Sequence, residues 1–179
     1  HSLAEICLER GANVTLVTTS NILVPKGIKK ISVVTADEMK KEVISRLDST
    51  DCVIMAAAVA DFKAKNINEK KIKKENIDVM TLDLIRNDDI LNLLRESKCI
   101  KIGFAAETEN HQKFGLDKLK NKNLDMIIIN DVSNKQIGFE SDYNQVKIIT
   151  KKGDIFTTEI DNKKIIASEI MNKVKTILN

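Results

Sequence analysis

Residues 51–62 read Asp51-Cys52-Val53-Ile54-Met55-Ala56-Ala57-Ala58-Val59-Ala60-Asp61-Phe62. From Cys52 to Ala56 every position is apolar, with no polar residue interleaved. A strand that buries one face alternates polar and apolar residues, whereas a strand that buries both faces does not. Asp51 to Ala56 is therefore predicted to be a strand inside a sheet covered on both sides, the pattern of a parallel α/β fold. Small residues follow, and then an acid. Ligands of open α/β sheets sit beyond the carboxyl ends of the strands, so a site is expected here.

Upstream of this run, Ser2 to Arg10 predicts a helix with Leu3, Ile6 and Cys7 on one face and Gly11 as its stop. Asn13 to Thr18 and Lys30 to Val34 predict strands, separated by a loop that holds the only proline, Pro25. Thr35-Ala36-Asp37-Glu38 is a capping box that opens a helix carrying Met39, Val43 and Leu47 on one stripe. Downstream, Val79 to Leu84 is a candidate strand. Asn87 is a candidate helix cap with Asp88 and Asp89 in the first turn, where the helix dipole favours negative charge.

Ile100 to Phe104 predicts a strand, residues 110–122 a helix, and Asp125 to Ile129 a second strand buried on both faces. Gln145 to Thr150 and Ile155 to Ile160 flank Lys151-Lys152-Gly153-Asp154, a hairpin signature. Asp161 is expected to cap a last helix with Ile166, Ile170, Val174 and Ile177 on one stripe. This order predicts a Rossmann-like three-layer α/β sandwich with a mostly parallel sheet and an added antiparallel hairpin. Neither an internal repeat nor a linker divides residues 1–179, so one domain is expected. Sheets of this kind open with a strand, and this chain opens with a helix. The first strand and its loop are expected to be missing, leaving the domain incomplete at its N-terminus.

Composition narrows the function. Of 179 residues, 42% are hydrophobic, as in an ordinary globular domain. No apolar run approaches the roughly 20 residues that span a bilayer, and the start lacks the basic-then-apolar order of a signal peptide. A cytoplasmic location is expected, with no membrane partner. The net charge of +3 is too mild to imply nucleic acid. Cys7, Cys52 and Cys99 are far apart in sequence, each in an apolar stretch, and are expected to be buried thiols. With two histidines in the chain, a histidine-based zinc site or a Ser-His-Asp triad is disfavoured.

Three segments could carry chemistry. In the first, Ala56 to Asp61, small residues let a ligand approach the backbone, and Asp61 is placed to hold a divalent cation or a ribose hydroxyl; the plain alternative is a helix start with a solvated acid. The second, residues 63–74, holds six lysines, Lys63, Lys65, Lys70, Lys71, Lys73 and Lys74. Such a loop can neutralise a triphosphate, or can simply be a solvated basic loop. The third is Gly103-Phe104-Ala105-Ala106-Glu107-Thr108-Glu109. Gly103 allows close backbone approach, and Phe104 offers a ring to a base or sugar or else fills the core. A nicotinamide-binding unit wants an acid after its second strand, yet Thr19-Ser20-Asn21 follows the strand there, and no glycine-rich fingerprint is visible. That disfavours an NAD(P)-dependent Rossmann oxidoreductase. There is no Gly-Lys-Ser/Thr phosphate loop either.

Taken in order, several pieces carry a resemblance. They are Glu9-Arg10-Gly11-Ala12-Asn13-Val14-Thr15-Leu16-Val17, Ala57-Ala58-Val59-Ala60-Asp61-Phe62, Lys71-Ile72-Lys73-Lys74, Gly103-Phe104-Ala105-Ala106-Glu107-Thr108, Asn130-Asp131, and Gly138-Phe139 followed by Ser141-Asp142 and Asn144. Over nearly its whole length the chain resembles bacterial phosphopantothenoylcysteine synthetase (phosphopantothenate–cysteine ligase). That domain belongs to the bifunctional coenzyme A biosynthesis protein and is often fused behind a flavin-dependent decarboxylase. Where the family often has Asn-Pro-Asp, this chain has Asn87-Asp88-Asp89. The family's opening strand and its glycine- and asparagine-containing loop, whose asparagine acts on the activated intermediate, have no counterpart in the sequence.

The resemblance implies a two-step ligation. The carboxylate of 4′-phosphopantothenate attacks the α-phosphate of CTP to give an acyl-cytidylate and pyrophosphate; the amine of cysteine then displaces CMP. It implies CTP rather than ATP as cosubstrate, Mg2+ or Mn2+ as the cation, and a homodimer with the hairpin around residues 143–160 in its interface. It implies Lys71 as the functional loop lysine, at once catalytic and nucleotide-binding, and Lys74 as a second phosphate ligand. Asp61 is expected to hold the metal or the ribose, Ala57 and Ala58 to offer backbone to the nucleotide, Phe104 to line the base or sugar pocket, and Asn130 to contact substrate. Glu107 is expected to be structural and His111 to lie on the surface. Against this stand two other readings: a noncatalytic nucleotide-binding module and the NAD(P)-dependent oxidoreductase.

Overall fold

The computed structural model describes residues 1–68, 70, 79–107, 111–131 and 141–178. Its centre is strand β7, Met126–Asp131, whose Met126, Ile127, Ile128 and Ile129 are at most 1% exposed. β7 pairs in parallel with β6 (Ile100–Glu107) and antiparallel with β9 (Val146–Thr150). β3 (Cys52–Met55) adds in parallel to β6, and β10 (Ile155–Thr157) adds antiparallel to β9, giving the order β10-β9-β7-β6-β3.

Successive side chains of a strand point to opposite faces, and this sorts the core into two layers. Ile127 and Ile129 pack with Leu91 of α3 (Ile90–Leu93) and Leu119 of α4 (His111–Asn121). Met126 and Ile128 pack on the other face with Ile166, Ile170 and Val174 of α5 (Lys163–Leu178), against which Leu3 of α1 (Ser2–Glu9) also packs. Each fully buried isoleucine contributes roughly 1.5–3 kcal/mol, which is why an apolar run with no polar alternation specifies this central position. The three-layer α/β sandwich expected from the sequence is the fold observed.

Two small contacts set the spacing of the layers. A Cβ on Gly115, in α4, would lie 2.3 Å from Ile129 Cδ1, and one on Gly103 would lie 2.7 Å from Leu124 Cδ1. Gly115 thus lets α4 settle directly on β7. At Gly103 the close approach comes from the Leu124 side chain in the core, which is where the freedom anticipated for that glycine is used.

Several local expectations are corrected. β3 is half-buried along its length and not enclosed, because only β6 pairs with it among the described residues. Within the lysine-rich stretch, Phe62–Ala64 forms β4, paired antiparallel with β5 at Leu84–Arg86; residues 79–83 are not strand. Asp89, not Asn87, caps α3, its side chain accepting from Asn92 N at 3.0 Å. Asn162, not Asp161, caps α5, accepting from the backbone of Lys164 and Ile165. Asp161–Asn162 is instead a short strand, β11, against β8 (Tyr143–Asn144). Of the thiols, Cys99 is buried, while Cys7 and Cys52 are half-buried. The Thr35–Glu38 capping box opens α2 (Ala36–Ile44) as expected, and the hairpin turns at Gly153 with φ +95°.

Beside β3 the sheet is interrupted. β1 (Thr15–Thr18) pairs in parallel with β2 (Lys29–Ser32), and these two form a separate sheet. Between β1 and β3 lies a cleft of about 560 Å3, lined by every residue of both strands and by Met39, Glu42 and Val43 of α2.

Candidate functional site

A cavity of about 590 Å3 opens at the carboxyl end of β3. One wall is the segment Ala57 to Phe62, a second is Arg86 to Leu91, and a third is Phe104 to Ala106 of β6 with Lys118 and Lys122 from the α4 side. The small side chains of Ala57, Ala58 and Ala60 keep this mouth open and leave backbone exposed to a ligand.

Hydrogen bonds fix the walls to one another. Asn87 donates from its side chain to the Ala60 carbonyl at 2.8 Å and from its backbone to the Asp61 carbonyl at 2.8 Å. Lys118 Nζ donates to the Phe104 carbonyl at 2.8 Å, tying α4 to β6. Lys122 pairs with Asp89, and Lys40 pairs with Asp88 at 2.7 Å and with Asp37 at 3.3 Å. Asp37 also pairs with Lys63 of β4. The ion pairs brace the 87–89 turn from both sides: α2 on one and α4 on the other.

The cavity is polar, lined by Asp61, Asp88 and Asp89 and by Arg86, Lys118 and Lys122. Burial pushes the Asp89 carboxyl up, but hydrogen bonds from Lys122 and from the Asn92 backbone, with the charges of Lys122 and Lys118, outweigh it and hold Asp89 below the usual carboxylate range. The hydrogen bond from Lys63, then that from Lys40, lowers Asp37. Hydrogen bonds to Asp88 and then Asp37 raise Lys40. Outside the cavity, burial pushes the Cys52 thiol up to about 12, with smaller contributions from Cys7 and Cys99.

The cavity brings together four of the residues expected from the sequence: Ala57, Ala58, Asp61 and Phe104. Asn130 is not among its lining residues; its side-chain oxygen accepts from Asn144 Nδ2 at 3.2 Å, tying the end of β7 to β8. Lys71 and Lys74 lie outside the described residues, as do the side chains of Glu107 and His111. Sequence reading missed Arg86, Lys118 and Lys122. The two lysines are four residues apart, a spacing that puts them on one helix face, and they follow the strand bearing Phe104; that was their available signal.

Among the described residues no three carboxylate, histidine or cysteine side chains converge on a metal position. Asp61 is exposed at the rim with no side-chain partner among the described residues. An exposed carboxylate at the rim of a polar cavity suits Mg2+, which takes one or two carboxylates and completes its shell with phosphate oxygens and water.

Fold and cavity together define an open α/β domain with a polar cavity, lined by charges of both signs, beyond the end of β3. Residues 1–178 match the DNA/pantothenate metabolism flavoprotein C-terminal domain, and the chain belongs to that family. It is 39% identical over 181 residues to the coenzyme A biosynthesis bifunctional protein CoaBC of Bacillus subtilis, covering 99% of this chain and 44% of that protein. To CoaBC of Haemophilus influenzae it is 36% identical over 177 residues, covering 97% and 44%. The chain thus spans less than half the length of these curated relatives. Among solved structures, the C-terminal domain of CoaBC superposes with a TM-score of 0.82 at 30% identity, covering 99% of this chain and 80% of that one. A Cab2 variant in complex with phosphopantothenate-cysteine shares the fold, with a TM-score of 0.69 at 16% identity, covering 99% and 76%. Neither the nicotinamide oxidoreductase nor the noncatalytic module finds support in these relatives.

Proposed function

We propose that this chain is the ligase domain that joins L-cysteine to 4′-phosphopantothenate in coenzyme A biosynthesis, with CTP as cosubstrate. The observation that carries the reading is the cavity at the end of β3. In it Ala57, Ala58 and Asp61 from one motif of the family meet Phe104 from another, opposite Lys118 and Lys122.

In the first step, a carboxylate oxygen of phosphopantothenate attacks the α-phosphorus of CTP, and the bond to pyrophosphate breaks. Two anions must meet, and fixed positive charge lowers that barrier. Lys118 and Lys122 are held at the cavity wall by Phe104 and Asp89 and need little reorganisation to face phosphate. Lys71 is the proposed catalytic and nucleotide-binding loop lysine, with Lys74 beside it on the phosphates. Asp61 would hold a divalent cation, Mg2+ or Mn2+, which would supply further charge neutralisation at the phosphates. The backbone at Ala57 and Ala58 and the half-buried Phe104 ring orient the nucleoside. In the second step the neutral amine of cysteine attacks the acyl carbon, and CMP leaves with the carboxylate oxygen. Asn130, close along β7 to the site, is proposed to contact the acyl substrate.

The ligase domain is proposed to span residues 1–179 and to lack its opening strand. The cleft between β1 and β3 supports this. Every residue of β1 and of β3 lines that cleft, so the two strands flank it without pairing to each other. The same reading gives a cytoplasmic homodimer with a fused or associated flavin-dependent decarboxylase. No described helix is long and apolar enough to cross a membrane.

The test is to supply CTP, 4′-phosphopantothenate and Mg2+ to protein carrying the upstream segment, and to follow pyrophosphate and CMP with and without cysteine. A cysteine-containing product formed one-for-one with CMP supports the ligase. No turnover of nucleotide under any of these conditions overturns it.

A further inference from the structure

Asn87 makes a two-point contact that neither catalysis nor helix capping requires. Its side-chain Nδ2 donates to the Ala60 carbonyl at 2.8 Å, and its own backbone N–H donates to the Asp61 carbonyl at 2.8 Å. Both acceptors belong to consecutive residues of the cavity's mouth. The carbonyl of Ala60 can only accept, so the amide must turn its NH2 toward it. This leaves Asn87 Oδ1 buried and without a partner among the described residues. A buried amide oxygen left unpaired is disfavoured, so the bond to Ala60 is made at the expense of the rest of the side chain's bonding. On its other side the turn is anchored independently, by Lys40 on Asp88 and by Lys122 on Asp89. Asn87 thus adds a side-chain link, beside the β4–β5 ladder and the packing of Val59, by which the braced turn holds the Ala60–Asp61 backbone.

We infer that Asn87 is a positioning residue that fixes the Ala60–Asp61 segment and so sets where the Asp61 carboxylate stands in the cavity. The ligand class invoked, a nucleotide with its divalent cation, rests on the function proposed above. Asn87→Ala removes the side-chain donor and keeps the backbone bond. Asn87→Asp turns an acceptor toward the Ala60 carbonyl and is the more severe change.

The experiment compares these two variants with the wild type in hydrogen exchange and in calorimetric titration with CTP at several Mg2+ concentrations. Exchange at amides within residues 57–62 is expected to rise about tenfold in Asn87→Ala and further in Asn87→Asp, with Met126–Ile129 unchanged. CTP affinity is expected to fall roughly five- to tenfold, the size of one neutral hydrogen bond, with a higher Mg2+ requirement. Unchanged exchange at 57–62 overturns the inference whatever happens to binding. So does loss of protection throughout β6 and β7, which marks a general folding role. Increased local exchange together with no CTP binding by the wild type upholds the positioning and counts instead against the nucleotide reading.

Discussion

Lys118 reaches from α4 to the Phe104 carbonyl of β6, 2.8 Å away, and in doing so stands on the wall of the cavity that Phe104 also lines. One side chain therefore joins helix to sheet and supplies cationic charge to the site. Lys118→Met is expected to weaken CTP binding by at least roughly tenfold while costing about 1 kcal/mol of stability, the size of one hydrogen bond. Calorimetric titration and urea unfolding of the same sample separate the two effects. Equal CTP affinity in the variant would remove Lys118 from the nucleotide site.

Gly115 is the contact that lets α4 carry its lysines so close. An added methyl would stand 2.3 Å from Ile129 Cδ1 and 3.2 Å from its Cγ1, and Ile129 is 1% exposed in the core. Gly115→Ala is expected to destabilise by roughly 1–3 kcal/mol despite alanine's better helix propensity. Adding Ile129→Val should recover part of that loss, a coupling that a double-mutant cycle measures.

Asp89 gives a pH signature. Its folded carboxyl is held below the ordinary value, so its pairing stabilises the protein above the unfolded carboxylate range and is lost as pH falls through the folded value. Asn caps helices about as well as Asp, so Asp89→Asn keeps the α3 cap and removes the charge. The wild type should exceed this variant by no more than about 1 kcal/mol near pH 7, because the Asp89 carboxylate is half-exposed and its pairing is screened by solvent. The gap should close below about pH 4. Urea titrations across pH 3 to 7 check this; a gap that widens in acid would reverse the assignment.

Cys52 lines the cleft between β1 and β3, and burial pushes its thiol up to about 12. Only the thiolate reacts, so at pH 8 the reactive fraction is about one in 10,000, against roughly a quarter for an ordinary thiol. Iodoacetamide should label Cys52 orders of magnitude more slowly than free cysteine until the protein is denatured, as peptide mass mapping would show. Rapid labelling in the native protein would mean that the cleft opens.

What could be read in advance followed from how local each signal is. Residues 126–129 specify a doubly buried strand by themselves, and the capping box at Thr35 and Glu38 closes within one turn; both stand where expected. Asn87 and Asp161 were read as caps because their neighbours look like helix starts. Tertiary pairing decided otherwise: Asn87 is drawn to Ala60, and Asp161 into a strand with Asn144. The same holds for the site. Asp61, just before β4, and Phe104, within β6, line the cavity and belong to local motifs. Lys118 and Lys122 matter only because α4 packs on β7 at Gly115, a relation no stretch of sequence states.

The most direct test of the ligase reading follows one oxygen atom. Phosphopantothenate labelled with 18O in its carboxylate is incubated with CTP, Mg2+ and cysteine, using protein that carries the upstream segment. If the carboxylate attacks the α-phosphorus and CMP departs with that oxygen, mass spectrometry will find one 18O in each CMP formed. CMP without label, formed alongside the cysteine adduct, would contradict an acyl-cytidylate. Absence of both products would contradict the ligase itself.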